Sequence, residues 1–140
     1  MRNVIVTGGS RGLGLAIAIR LRAAGYGVVA VARRESPALA AALQETPAAG
    51  AGALHFRAHD LGDLDGLAGL VKGIRKEIGP IYGLVNNAGI GSSGLLATMR
   101  DGDLEKIVRL NTLSPLMLSK YVVRAMLAGG GGRIVNIAST

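Results

Sequence analysis

The 140-residue sequence contains no cysteine. That excludes disulfides and any zinc–thiolate centre. Aromatic residues are scarce, at 3% of the chain. Phe56, Tyr26, Tyr82 and Tyr121 lie far apart, so they build no stacking platform for single-stranded nucleic acid. Acidic residues are few, 9 against 16 basic ones, which leaves a net charge of +7. Such an excess suits nucleic acid or an acidic ligand. The basic residues are spread along the chain without a dense run, however, and nucleic acid is not expected as a partner. No apolar run approaches the ~20 residues of a membrane-spanning helix, so no membrane partner is expected either. The opening "MRNVIVTGG" passes straight into a strand-like run with no leader pattern. A soluble, cytoplasmic protein is the expectation.

Apolar residues are abundant, at 49%. The length fits one domain, and a domain of this size removes roughly two-thirds of its unfolded surface from water. A disordered chain is excluded on composition. Short apolar runs alternate with longer helical patterns. Strands are expected at residues 4–6, 28–31, 54–57, 81–85 and 134–137. Helices are expected at 13–24, 37–45, 64–78 and 104–127, the last with Pro115 as a source of a kink. Gly25, then Gly79 with Pro80, then the glycines at 129–132 punctuate their ends. Strand and helix in alternation imply a parallel sheet with helices on both faces.

"TGGSRGLG", residues 7–14, joins the first strand to the first helix. Gly8, Gly12 and Gly14 allow a sharp turn and a close approach of backbone to a pyrophosphate. The N–H groups and positive dipole end of the following helix then face the phosphates. A plain glycine-rich turn is the alternative. Position after the first strand and before a helix favours a dinucleotide. The second strand ends "VVAVARRES", placing Arg33 and Arg34 where a carboxylate would hold the ribose 2′-hydroxyl of NAD. With Arg11 they form a candidate clamp for the 2′-phosphate of NADP, partly offset by Glu35. A solvated basic turn is the competing reading.

These residues together resemble a short-chain dehydrogenase/reductase. The family's T-G-x-x-x-G-x-G loop is matched from Thr7 to Gly14, with Ser10 and Leu13 inside it. The resemblance implies an α/β, doubly wound parallel sheet of Rossmann type, with the five strands in order 3-2-1-4-5. It implies an adenine contact by Asp60, with Leu61 beside it, in "HDL". Asp60 could instead cap the helix that follows. The family's N-N-A-G is matched by Asn86, Asn87, Ala88 and Gly89, of which the last three are expected near the nicotinamide. Asn111 in "RLNTLSP" matches an asparagine that supports a catalytic water, although it could merely serve a kink at Pro115. Ser139 matches the catalytic serine after the fifth strand. His55 and His59 have no implied acid or metal partner. No metal is implied.

The family's proton donor, a tyrosine four residues before a lysine, has no match. Four residues beyond Tyr26, Tyr82 and Tyr121 stand Ala30, Asn86 and Ala125. The expectation is therefore a dinucleotide-binding domain over residues 1–140, truncated after the fifth strand, with the family's sixth and seventh strands missing. The resemblance implies hydride transfer between NADP(H) and a ketone or secondary alcohol. It is closest to the reductases of 3-oxoacyl thioesters, in which a full-length member would be a homo-oligomer. Little activity is expected of the chain as given. A catalytically inactive nucleotide-binding half-domain, or a subunit partner, is the second reading. A basic surface suits an acidic carrier protein, but "AGGGG" at 128–132 lacks the basic residues common before the last strand in such reductases.

Overall fold

Residues 1–139 are described by a computed structural model. Five strands, β1 (Asn3–Thr7), β2 (Gly27–Ala32), β3 (Leu54–Ala58), β4 (Ile81–Asn86) and β5 (Arg133–Asn136), form one sheet in the order β3-β2-β1-β4-β5. Every pairing is parallel, with Val4 opposite Val28 on one side and Gly83 on the other. The order is the expected one. It places the reversal of chain direction across the sheet between β1 and β4.

The core follows from the alternation of side chains along each strand. Val4, Val6, Val28 and Val85 point to one face and pack on Ala18 of helix α1 (Gly12–Ala23). Ala30 points the same way, toward Leu39 of α2 (Pro37–Gln44). Ile5, Val29, Val31 and Leu84 point to the other face. They meet Leu67, Val71 and Ile74 of α3 (Leu67–Glu77) and Leu118, Val122 and Met126 of α5 (Ser114–Ala128). The sheet is thus wound on both faces.

Two local features depart from the sequence reading. Helix α3 begins at Leu67 rather than residue 64, because Asp60 and Asp63 organise the preceding turn. Each carboxylate accepts a backbone N–H, Gly62 at 2.9 Å and Gly66 at 3.3 Å. The long helix starts at Asp101 and is interrupted before its proline. Helix α4 (Asp101–Val108) passes through a π-helical turn, Arg109–Leu113, into α5. Pro115 stands in the first turn of α5, where its missing N–H costs nothing, so the irregularity lies ahead of it. As the expected order implies, β5 is an edge strand, and its Val135 is 50% exposed.

Arg22 is a buried cation with no carboxylate partner among the described residues. It donates to the carbonyls of Ala42 (2.9 Å), Glu45 (3.1 Å) and Gly52 (3.4 Å), tying the end of α2 to the loop that enters β3. Among the described residues no helix is long and apolar enough to cross a membrane.

Candidate functional site

The carboxyl ends of β1 and β4 are locked together by Thr7. Its side chain is 2% exposed. Its hydroxyl donates to the Val85 carbonyl (3.4 Å) and accepts the N–H groups of Asn87 and Ala88, both at 3.0 Å. One donor and two acceptor positions exhaust a hydroxyl. The Thr7 hydroxyl therefore holds the loop beyond β4. The Asn87 amide returns the contact, donating to the carbonyls of Thr7 (3.2 Å) and Gly8 (3.4 Å).

The glycines fit into this lock. Gly8 and Gly12 adopt left-handed conformations, φ 64° and 56°, that disfavour a side chain. Gly14 is required for space. A Cβ there would stand 2.0 Å from the Gly8 carbonyl oxygen and 2.6 Å from the Asn87 amide nitrogen. Gly9 belongs to the same set, although the spacing pattern does not single it out. A Cβ on Gly9 would stand 2.8 Å from that of Ala30, and its N–H, like that of Gly8, reaches the Val31 carbonyl. The signal for Gly9 was the facing small residue on β2.

Helix α1 starts directly behind this loop. Arg11 occupies its cap position with extended backbone, no side chain caps the helix, and its first turn holds no acid. The amino-terminal N–H groups and the positive end of the helix dipole are thus left for an anion. Arg11, Gly12 and Leu13 are all exposed at the surface, Leu13 by 58% despite its apolar side chain. The residues present fit a dinucleotide phosphate cradle.

Arg33 and Arg34 follow β2 and are exposed, as is Glu35. Neither arginine forms an ion pair among the described residues. Their loop is fastened to the glycine loop by Ser36, whose hydroxyl donates to the Ser10 carbonyl and accepts the N–H of Leu39 (3.0 Å). Ser36 is the cap of α2 with Pro37 behind it, a pairing readable in the sequence. Asp60 lies exposed after β3, and Leu61 is buried against the α3–α5 side of the core.

On the β4–β5 side the arrangement is looser. Asn86 donates to the Asn136 side chain (2.9 Å) and to the Ser119 hydroxyl (3.1 Å). The N–H of Ile137 reaches the Asn86 carbonyl (3.0 Å). Ser139 follows, exposed and outside regular structure. The Asn111 side chain, in the π turn, accepts the N–H of Ile90 (2.8 Å) and donates to its carbonyl (2.6 Å). It grips the loop after Gly89 at both of its amide atoms. Thus Thr7, Gly8, Asn87 and Ala88 come together by direct bonds, Gly14 packs against Gly8 and Asn87, and Asn111 bonds to Ile90 in the loop that follows.

Sequence and structure comparisons agree on what this fold and loop define. The short chain dehydrogenase family model matches residues 2–140, and the chain belongs to that family. It is 38% identical over 135 residues to the 3-oxoacyl-[acyl-carrier-protein] reductase FabG of Escherichia coli, covering 96% of this chain and 53% of that protein. A metagenomic short-chain oxidoreductase solved with NADP superposes with a TM-score of 0.89 at 36% identity, over 99% of this chain and 62% of that one. A 3-oxoacyl-[acyl-carrier protein] reductase from Brucella melitensis, solved with NAD, gives 0.86 at 30% identity, over 99% of this chain and 55% of that one. The chain spans about half the length of the curated relatives it matches.

Proposed function

We propose that residues 1–140 are the nucleotide-binding part of a longer, cytoplasmic oxidoreductase that uses NADP(H) to interconvert a ketone and a secondary alcohol. The observation that carries this reading is the lock at the β1–β4 switch point. Gly14 has no room for a side chain, and an uncapped helix end faces outward beside it. Bound there, the nicotinamide cofactor supplies or accepts a hydride. Gly8, Ser10, Gly12 and Leu13 would line its pyrophosphate, with Asp60 and Leu61 toward the adenine. Asn87, Ala88 and Gly89 would lie toward the nicotinamide. Arg11, Arg33 and Arg34 would hold the 2′-phosphate, a reading supported by the absence of an acid at the end of β2. The relatives solved with NADP and with NAD support a nicotinamide cofactor without choosing between the two.

Ser139 would donate to the carbonyl oxygen as negative charge grows there, the moment at which a fixed donor is most effective. Asn111 would act as a positioning residue, through the loop it grips. The 3-oxoacyl-thioester class of substrate, and assembly of the longer protein as a homo-oligomer, belong to the same proposal. They are supported by the names of relatives such as the Escherichia coli reductase. No tyrosine of the chain stands four residues before a lysine, so protonation of the alkoxide would need a group from elsewhere.

Titration of the chain with NADPH and with NADH tests the reading. Arg33→Asp combined with Arg34→Ala should weaken NADPH binding by about 1.5–3 kcal/mol, the scale of hydrogen bonds to a charged group. NADH binding should change far less. Equal weakening would show that the arginines do not read the 2′-phosphate, and no binding of either cofactor to the unsubstituted chain would overturn the whole proposal.

A further inference from the structure

The opposite end of the sheet carries a second concave site. A cavity of about 640 Å³ opens at the amino-terminal ends of β1, β4 and β5, bounded by Arg2, Arg75, Arg133, Tyr82 and the glycines at 129–132. Its volume falls within the range of roughly 300–1,000 Å³ typical of small-ligand sites. Three arginines line it, no aspartate or glutamate does, and none of the three has an ion-pair partner among the described residues.

Two of the guanidinium groups are held in place. Arg2 lies over the Tyr82 ring, 4.6 Å from its centroid, and Tyr82 stacks in turn on Tyr26 with centroids 6.2 Å apart. Arg133 donates to the Gly132 carbonyl at 2.9 Å. Arg75 projects from the last turn of α3. Gly130 and Gly131 adopt left-handed conformations, and a Cβ on either would meet nothing within 4 Å, so the rim stays open. The bland account is that these arginines only offset the negative ends of α3 and α5. Each helix end amounts to about half a charge, so two ends leave a positive excess from three arginines.

We propose that this cavity is a second anion site, for a small ligand bearing two or more oxyanion groups, held by Arg2, Arg75 and Arg133. Planar guanidinium forks bind carboxylate and phosphate alike, and both share this chemistry. The site lies at the far end of the strands from the glycine loop and stands independently of the nucleotide reading.

Amide resonances of the isotopically labelled chain, titrated at constant ionic strength with pyrophosphate and, in a second arm, with citrate, test it. The expected result is a saturable shift of the 129–132 amides, with a dissociation constant on the order of 1 mM or lower. The arm that saturates at lower concentration assigns the ligand to the phosphate or the carboxylate class. Arg2→Gln combined with Arg133→Gln should weaken binding roughly tenfold or more, as the loss of two charge-assisted contacts requires. Arg75→Gln, on a separate element, should weaken it less, and Arg100→Gln, remote from the cavity, should leave it unchanged. Shifts that rise linearly and match those of potassium chloride would overturn the proposal. So would undiminished affinity in both the double variant and Arg75→Gln.

Discussion

Strand β4 is joined to its two neighbours by seams built differently. On the β1 side, Thr7 is buried with every hydrogen-bonding position of its hydroxyl filled, and Asn87 bonds back across the gap. On the β5 side, Asn86 bonds to an exposed Asn136, and its own amide oxygen is buried without a partner among the described residues. A buried acceptor left unpaired costs free energy that a paired one does not. The first seam fixes the loops that would receive a cofactor. The second holds an edge strand whose Val135 is half-exposed, and the chain beyond it, with Ile137 at 40% exposure, leads to Ser139. The first seam fills every position of the Thr7 hydroxyl, whereas the second leaves the Asn86 amide oxygen without a partner among the described residues.

The sharpest way to break the first seam is Gly14→Ala. The added methyl would run into backbone, the Gly8 carbonyl, and cannot be relieved by a rotamer change. Overpacking at a rigid site typically costs up to about 3 kcal/mol, and this substitution belongs at that upper end or beyond. Thermal unfolding should show a fall of roughly 10 °C. NADPH binding should vanish in the same protein. If the melting temperature is unchanged, the loop is not seated as described.

Thr7→Ala should come next. It strips the acceptor from two backbone N–H groups at once, and each buried orphan costs about 1–3 kcal/mol. A loss of about 2 kcal/mol is expected, after allowance for relaxation of the loop. Thr7→Ser keeps the hydroxyl and should recover most of it. Equal damage from both substitutions would assign Thr7 to packing rather than to the seam. Asn136→Ala, on the second seam, should cost only about 0.5–1.5 kcal/mol, because its partner Asn86 retains Ser119 and the site is open to water. Denaturant midpoints of the three variants measured side by side test the ranking.

The two seams were unequally legible. The glycines could be read because each answers a local demand of a strand–turn–helix connection, and Ser36 with Pro37 announces a helix start in the same local way. Arg33 and Arg34 could be placed because the end of β2 is set by its apolar run. The partners of Thr7 could not be read, since Val85, Asn87 and Ala88 lie 78 to 81 residues away. A hydroxyl carries no mark of which distant amides it will serve. The π turn at Arg109–Leu113 escaped for a related reason. Apolar spacing reports which face is buried, not whether one turn holds an extra residue. Pro115 drew attention to the right neighbourhood and the wrong residue. The role of Ser139 rested on resemblance throughout, because a serine after an edge strand has no chemistry until something faces it.

The smallest effect expected lies at the other edge of the sheet, on β3, and it extends the comparison from seams to edges. Strand β3 is half-buried along Leu54, His55, Phe56 and Arg57, whereas β5 is mostly open. Burial, and after it the positive charge of Arg57, hold the His55 pKa below its usual 6.5. Protonation is therefore easier in the unfolded chain. As the pH falls through 6.5 the unfolded state binds its proton first, and the folded state loses stability until the lower, folded pKa is passed. The contribution is fully present above that window and lost below it. His55→Gln should flatten this part of the stability–pH curve while leaving stability at pH 8 nearly unchanged. The ring is only partly shielded, so the slope should be shallow. Urea midpoints between pH 5 and 8 measure it, and a slope that survives the substitution would place the titrating group elsewhere. Because β5 carries no histidine, the two edges should then differ in kind. The β3 edge responds weakly to protons because its histidine is partly covered, and β5, Arg133–Asn136, has none to respond with.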